Sequence, residues 1–119
     1  MLTWEMRRVV LLVNNIEEVT AFYRDVLELR PIFNLKIPPP EWIEFNAGNV
    51  RLALEQASGE MEQASNFIQL MFYAADLDAT RAELIRRGVK VGEIKKTKDG
   101  QHFDSKDPEG HIFRISNRK

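Results

Sequence analysis

The chain holds two histidines, and one of them, His102, stands where it could act as an oriented general base. Asp104 follows two residues later, and side chains two apart on a strand point to the same face, so the carboxylate could orient the imidazole. A histidine beside a carboxylate in a surface hairpin is also commonly no more than solvated. The sequence leaves both interpretations open.

The second histidine, His111, follows the turn-forming run Asp107-Pro108-Glu109-Gly110. Polar side chains at such turns commonly bond to the local backbone, so we expect His111 to stabilise the turn. The sequence has no cysteine, which excludes disulfides, thiolate metal sites and a cysteine nucleophile. Glycine-rich phosphate loops, G-x-S-x-G elbows and H-E-x-x-H patterns are absent as well.

Size and charge narrow the function further. A chain of 119 residues with 44% hydrophobic and 29% charged residues has the size of one globular domain. Its formal charge of -1 gives no reason to expect nucleic acid or an anionic membrane as a partner. Apolar runs such as Val9 to Val13 are too short to span a bilayer, and we see no leader pattern, so we expect a cytoplasmic protein.

The elements that position these residues occur twice. A strand from Arg7 to Val13 leads into a helix capped by Asn15, and a strand from Ile68 to Ala74 leads into a helix capped by Asp76. Laying Asn15 on Asp76 gives an offset of 61 residues (76 minus 15). Three further strands follow each helix, so the order is strand, helix and three strands, twice, in an α+β fold.

The remaining predicted elements follow from periodicity and turn residues. The first helix should end near residues 28–30, and the second should end before Gly88. Pro38 to Pro40 should form a rigid surface connection, and residues 57–65 should link the two copies. The further predicted strands span residues 32–37, 42–46, 50–56, 90–97, 101–106 and 112–117.

The repeat, the run from Asn15 to Leu29 and the terminal Asp107-Pro108-Glu109-Gly110-His111 resemble the vicinal oxygen chelate superfamily. That superfamily comprises glyoxalase I, extradiol dioxygenases, fosfomycin resistance proteins and bleomycin resistance proteins. The resemblance implies one domain over residues 1–119, with one βαβββ module over about 5–57 and another over about 66–119. Their curled mixed sheets would surround a shared cavity with the helices outside, and many relatives form homodimers.

The resemblance also implies where metal ligands would lie. Family members usually carry a histidine on the first strand of each module. Arg8 occupies that position in the first copy, and Gln69 occupies it in the second. Family members also carry an acidic ligand on the last strand of each module. Glu55 matches that position in the first copy, and Arg114 occupies it in the second. Arginine stays protonated and offers no lone pair to a metal, so we predict no metal and no cofactor.

Strand alternation predicts that Arg8, Glu55, Gln69 and Arg114 share a face. If Arg8, Glu55 and Arg114 converge, they leave one net positive charge that could hold an anion, or they form a self-satisfied ion-pair network. Two of the aromatic residues that could supply a wall for a planar ligand are Trp42 and Phe45.

Two functions therefore stay open. The first is a metal-free protein that binds a small polar or anionic molecule, and the alternative is a metal-dependent lyase, isomerase or dioxygenase that uses Glu55. Fold alone does not decide between them. One residue departs from the family pattern: Glu28 replaces a glycine that often ends the first helix, so we expect the chain to leave this helix differently.

Overall fold

The computed structural model describes residues 2–32, 41–59 and 68–119, which divide into two compact units, Met1–Glu62 and Gln63–Lys119. The predicted strand at 32–37 lies outside the described residues beyond Ile32. The predicted connection from Pro38 to Pro40 lies outside them entirely, and so does most of the predicted linker over 57–65.

The first unit contains one helical segment and a four-stranded sheet in the part of the chain that the structure describes. The strand order is β1-β4-β3-β2; β1 runs parallel to β4, and the other pairs are antiparallel. The elements are β1 (Arg8–Val13), α1 (Ile16–Ala21), a π-helical turn (Phe22–Val26), β2 (Arg30–Ile32), β3 (Trp42–Asn46) and β4 (Arg51–Gln56).

The second unit repeats this arrangement, with strand order β5-β8-β7-β6 and β5 parallel to β8. Its described elements are β5 (Leu70–Tyr73), α2 (Leu77–Arg86), β6 (Lys95–Thr97), β7 (Gly100–Lys106) and β8 (Ile112–Ser116). The predicted α+β fold class with two βαβββ modules is therefore confirmed. The strand predicted over 90–97 is shorter, because residues 91–94 contribute only an isolated bridge between Val91 and Ser105.

Both predicted helix caps are present. Asn15 accepts a hydrogen bond from the backbone N–H of Glu18 at 3.2 Å, and Asp76 accepts one from that of Ala79 at 3.0 Å. Each cap satisfies a donor that the first turn of a helix leaves without an intrahelical partner. Short polar side chains thus fix where each helix begins after its strand.

The exit from the first helix differs from our expectation. Glu28 adopts the left-handed conformation itself, with φ of 61°, so the prediction that a residue with a Cβ would force another route is wrong. The preceding π-helical turn closes with the N–H of Leu27 bonded to the carbonyl of Phe22, and the N–H of Leu29 then bonds to the carbonyl of Tyr23. These backbone hydrogen bonds hold Glu28 in a conformation that is unfavourable for a residue with a Cβ.

Each sheet buries its alternate apolar side chains in a core. The largest fully buried side chains are those of Tyr23, Phe45, Phe103, Phe113, Leu54, Val13 and Val19. Phe45 on β3 and Phe103 on β7 each lie between polar or charged residues, so each sheet has a second face on which functional side chains can collect. None of the helices in the described ranges is long and apolar enough to cross a lipid bilayer.

Candidate functional site

The first sheet has a face opposite Phe45 and Leu52, which we call the open face and which consists of three rows across β1, β4 and β3. The strand register sets these rows. The first row is Arg8, Arg51 and Asn46; the second is Val10, Ala53 and Glu44; the third is Leu12, Glu55 and Trp42. The prediction that Arg8 and Glu55 share a face is therefore confirmed within this unit.

Glu44 is the centre of the polar contacts on the open face. Its side chain is only 8% exposed, and its Oε1 accepts hydrogen bonds from Arg8 Nε at 3.0 Å and from Arg51 Nη1 at 3.1 Å. Its Oε2 accepts from Trp42 Nε1 at 2.9 Å. One buried carboxylate thus faces two guanidinium groups and can balance the charge of only one.

The ionisation of Glu44 follows from these neighbours. Burial alone would raise the pKa of this carboxyl, but the hydrogen bonds from Trp42, Arg51 and Arg8, with the charge of Arg8, lower it below the usual value. Glu44 is therefore ionised at neutral pH, and it fixes both arginine side chains on the sheet. Arg8 and Arg51 remain 37% and 41% exposed, so each can still meet a ligand.

A groove of about 350 Å³ adjoins this pair. It is lined by Glu5, Arg7, Arg8, Ile32, Asn46, Gly48, Asn49, Val50 and Arg51. Three arginines therefore meet two carboxylates here, those of Glu5 and Glu44, which leaves one net positive charge. Arg7 pairs with Glu5 at 3.2 Å, but both side chains are about 70% exposed, so this ion pair is weak and can rearrange.

The other predicted residues of the first unit have different surroundings. Glu55 is exposed at the far end of the open face, where it lies opposite Leu12 and Trp42 in the ladder. Phe45 is fully buried, with its ring 6.3 Å from that of Tyr23. The predicted ligand contact of Phe45 conflicts with this position, because period two turns its side chain into the core.

In the second unit, Arg114 pairs with Asp104 rather than acting as an isolated cation. Arg114 Nε donates to one carboxylate oxygen at 2.7 Å and Nη2 to the other at 3.2 Å. These hydrogen bonds lower the pKa of Asp104 against its partial burial, and the nearby charges of Arg114, His102 and Lys95 add to the effect. Both carboxylate oxygens face Arg114, so Asp104 is poorly placed to orient His102 as a base.

Two further predicted residues of this unit have clear positions. Gln69 is exposed and directly precedes β5. His111 has the expected role in the turn: its Nδ1 lies 2.7 Å from Asp107 Oδ2, and the N–H groups of Glu109 and His111 donate to Asp107 Oδ1. The buried Asp107 thus organises the turn before β8.

The register also revises which positions of the two copies correspond. Val10 pairs with Ala53, and Met71, 61 residues after Val10, pairs with Arg114. The counterpart of Arg114 in the first copy is therefore Ala53, whereas the resemblance had led us to match it with Glu55. Sequence reasoning missed Glu44, although the hairpin register around residues 47–49 would have placed it beside Ala53.

The donor atoms do not fit the divalent metal that the family resemblance raises. Glu44 is already paired with two arginines and Asp104 with a third. Across the described ranges, no three histidine, cysteine, aspartate or glutamate side chains gather closely enough to hold a metal ion. Catalytic zinc typically uses three protein ligands, so no reaction step is assigned to a metal here.

Comparison with known proteins agrees with this architecture. Residues 6–115 match the family model of the Glyoxalase/Bleomycin resistance protein/Dioxygenase superfamily. No curated protein sequence matches the chain.

Solved structures show the same fold at low identity. A lactoylglutathione lyase from Agrobacterium tumefaciens is 20% identical, with a TM-score of 0.74 over 94% of this chain and 92% of the lyase. TnmS3, an antibiotic binding protein from Streptomyces sp. CB03234, is 21% identical, with a TM-score of 0.80 over 100% of this chain and 99% of TnmS3. Identities this low establish the fold and leave function to the residues of the site.

Proposed function

The chain belongs to the glyoxalase/bleomycin resistance protein/dioxygenase superfamily. Within this superfamily, we propose that it is a metal-free protein that binds a small anionic molecule. The observation that carries the proposal is the shared carboxylate of Glu44, which holds Arg8 and Arg51 side by side while leaving a net positive charge at the groove. Guanidinium groups bind carboxylates and phosphates through paired hydrogen bonds, so this groove suits an oxyanion.

The size and polarity of the groove support a small ligand. Its volume of about 350 Å³ falls at the lower end of the range for small-molecule sites. The side-chain amides of Asn46 and Asn49 line it beside the arginines and offer further donors. Among the relatives, TnmS3 is described as an antibiotic binding protein, which is consistent with a binding role for this fold.

The anion site that we propose is built from residues of the first unit. Asp104 neutralises Arg114, so Arg114 has less capacity to attract an anion than Arg8 or Arg51. The ligand contacts that the sequence predicts for Trp42, Gln69 and Arg114 stay predictions. The homodimer and the cytoplasmic location stay predictions.

The test compares anion binding in matched variants. Titration calorimetry at constant ionic strength with acetate, benzoate and inorganic phosphate should find at least one that saturates the wild-type protein. Arg8→Gln and Arg51→Gln should each weaken that binding by about five- to tenfold, because each removes a charged donor. Arg24→Gln is the control, since Arg24 pairs with Asp25 on the surface of the first helical segment.

Equal affinity in Arg8→Gln, Arg51→Gln and the wild type would contradict the proposal. The alternative, a metal-dependent enzyme that uses Glu55, predicts a stoichiometric divalent ion that Glu55→Gln loses. Nothing among the described contacts favours it over the binding role, because Glu55 lies beside Leu12 and Trp42 rather than beside other acidic or histidine side chains.

A further inference from the structure

The open face of the first sheet has opposite charges at its two ends. The first row contributes the guanidinium groups of Arg8 and Arg51, and the third row contributes the carboxylate of Glu55. Glu55 is exposed, and its carboxylate has no ion pair within the described ranges. Glu55 lies four positions after Arg51 on β4, which corresponds to about 13 Å along the strand.

On β1, the two residues that follow Arg8 on this face are apolar and accessible, whereas Ala53 beside them on β4 is fully buried. Val10 and Leu12 lie on β1 beside Ala53 and Glu55, and each is 44% exposed. Two partly exposed apolar residues in line on one strand give a ligand apolar surface to bury. A cation, an apolar stretch and an anion therefore follow one another along a single pair of strands.

We propose that the ligand class is a linear zwitterion: a carboxylate or similar oxyanion at one end, an apolar middle and an ammonium group at the other. This inference rests on the proposed function, because the oxyanion would occupy the groove beside Arg8 and Arg51. The apolar middle would lie along Val10 and Leu12, and the ammonium group would reach Glu55. Complementary charges at both ends fix the orientation of such a ligand, since the reverse orientation brings like charges together.

The experiment uses three probes of equal chain length: 8-aminooctanoate, octanoate and octanedioate. Titration calorimetry measures the affinity of each for the wild type, Glu55→Lys and Arg8→Gln at pH 7 and constant ionic strength. Glu17→Lys provides the matched control, because Glu17 is an exposed residue of α1 and the substitution changes the net charge equally.

The wild type should prefer 8-aminooctanoate, and Glu55→Lys should prefer octanedioate. The ratio of the two affinities should change by about five- to tenfold, because an exposed attraction becomes a repulsion of similar size. Glu17→Lys should leave this ratio unchanged, and Arg8→Gln should lower the affinity for all three probes.

Two outcomes would overturn the inference. In the first, the probes bind the wild type and bind Arg8→Gln more weakly, but Glu55→Lys leaves the ratio of the affinities for 8-aminooctanoate and octanedioate unchanged. The anion site then stands and the zwitterion is wrong. If 8-aminooctanoate does not saturate the wild type, the zwitterion is also wrong, and the proposed function is then judged by its own acetate, benzoate and phosphate titrations.

Discussion

Replacing Glu44 by glutamine should destabilise the protein and at the same time improve anion binding. Glutamine keeps the volume of the side chain but removes the negative charge that Arg8 and Arg51 share. Trp42 Nε1 would also lose its charged acceptor. Stability and affinity should therefore change in opposite directions, which a simple loss of folded protein would not produce.

The size of the effect follows from burial. Removing one partner of a fully buried ion pair costs about 3–5 kcal/mol, whereas an exposed pair contributes about 0–1 kcal/mol. Glu44 is buried while both arginines are more than a third exposed, so we expect an intermediate loss of about 2 kcal/mol in the free energy of unfolding. For a chain of 119 residues this corresponds to roughly 8 °C in the thermal midpoint.

The loss should depend on pH in a defined direction. The pKa of Glu44 in the folded protein lies below its ordinary value of 4.5, so its ionised form stabilises the fold above that pH. This contribution disappears as the pH falls through the folded pKa, and the stabilities of the wild type and Glu44→Gln should then converge. Denaturant unfolding between pH 3 and 7 measures the difference.

The second readout is calorimetry with the anion that saturates the wild type. Glu44→Gln should bind this anion about three- to fivefold more tightly, because the substitution removes the carboxylate charge that repels it. Asp25→Asn, which removes the carboxylate of an exposed pair, is the control and should change neither quantity. Equal stability of Glu44→Gln and wild type at pH 7, or weaker anion binding in the variant, would refute the reasoning.

Three further predictions concern other parts of the fold. Glu28→Gly should be more stable than Glu28→Ala by about 1 kcal/mol in denaturant unfolding. Both variants lose the carboxylate, but only glycine lacks the Cβ that disfavours a φ of 61°. Equal stabilities would show that the backbone at this position is not strained. Glu83 should titrate with a pKa of about 2 by NMR, because Arg86 and Arg87 hydrogen-bond its carboxylate, and a midpoint near 4.5 would show that these bonds do not persist in solution. Asp107→Ala should lower the free energy of unfolding by about 2 kcal/mol by leaving backbone donors of the turn unsatisfied, whereas an unchanged midpoint would mean that the turn has other support.

Features set by neighbouring residues could be predicted from the sequence. Asn15 and Asp76 cap their helices through donors three residues away, and the strand at Trp42–Asn46 has the predicted bounds. Its alternation and the turn that follows are both local signals. The fold class followed from these elements and from their repetition.

The site was harder to predict because its contacts cross the sheet. Glu44 is one glutamate in an amphipathic strand, and its importance comes from the two arginines that the ladder places beside it. The sequence spacing indicates His102 as a partner of Asp104, but the hydrogen bonds to Asp104 come from Arg114 on the adjacent strand β8. Such pairings depend on the strand register. An error of one residue in a predicted turn would move every side chain of the strand to the opposite face of the sheet.

The parallel pairing of the first and last strands of each unit has a consequence for how the protein folds. Arg8 pairs with Arg51, and Leu70 pairs with Phe113, so both partners lie 43 positions apart (51 minus 8, and 113 minus 70). Loops of this length must close before the parallel ladder of each unit forms, and contacts this distant in sequence slow folding. During synthesis, the first strand of each unit therefore has no partner in its sheet until the ribosome has released the last strand of the same unit.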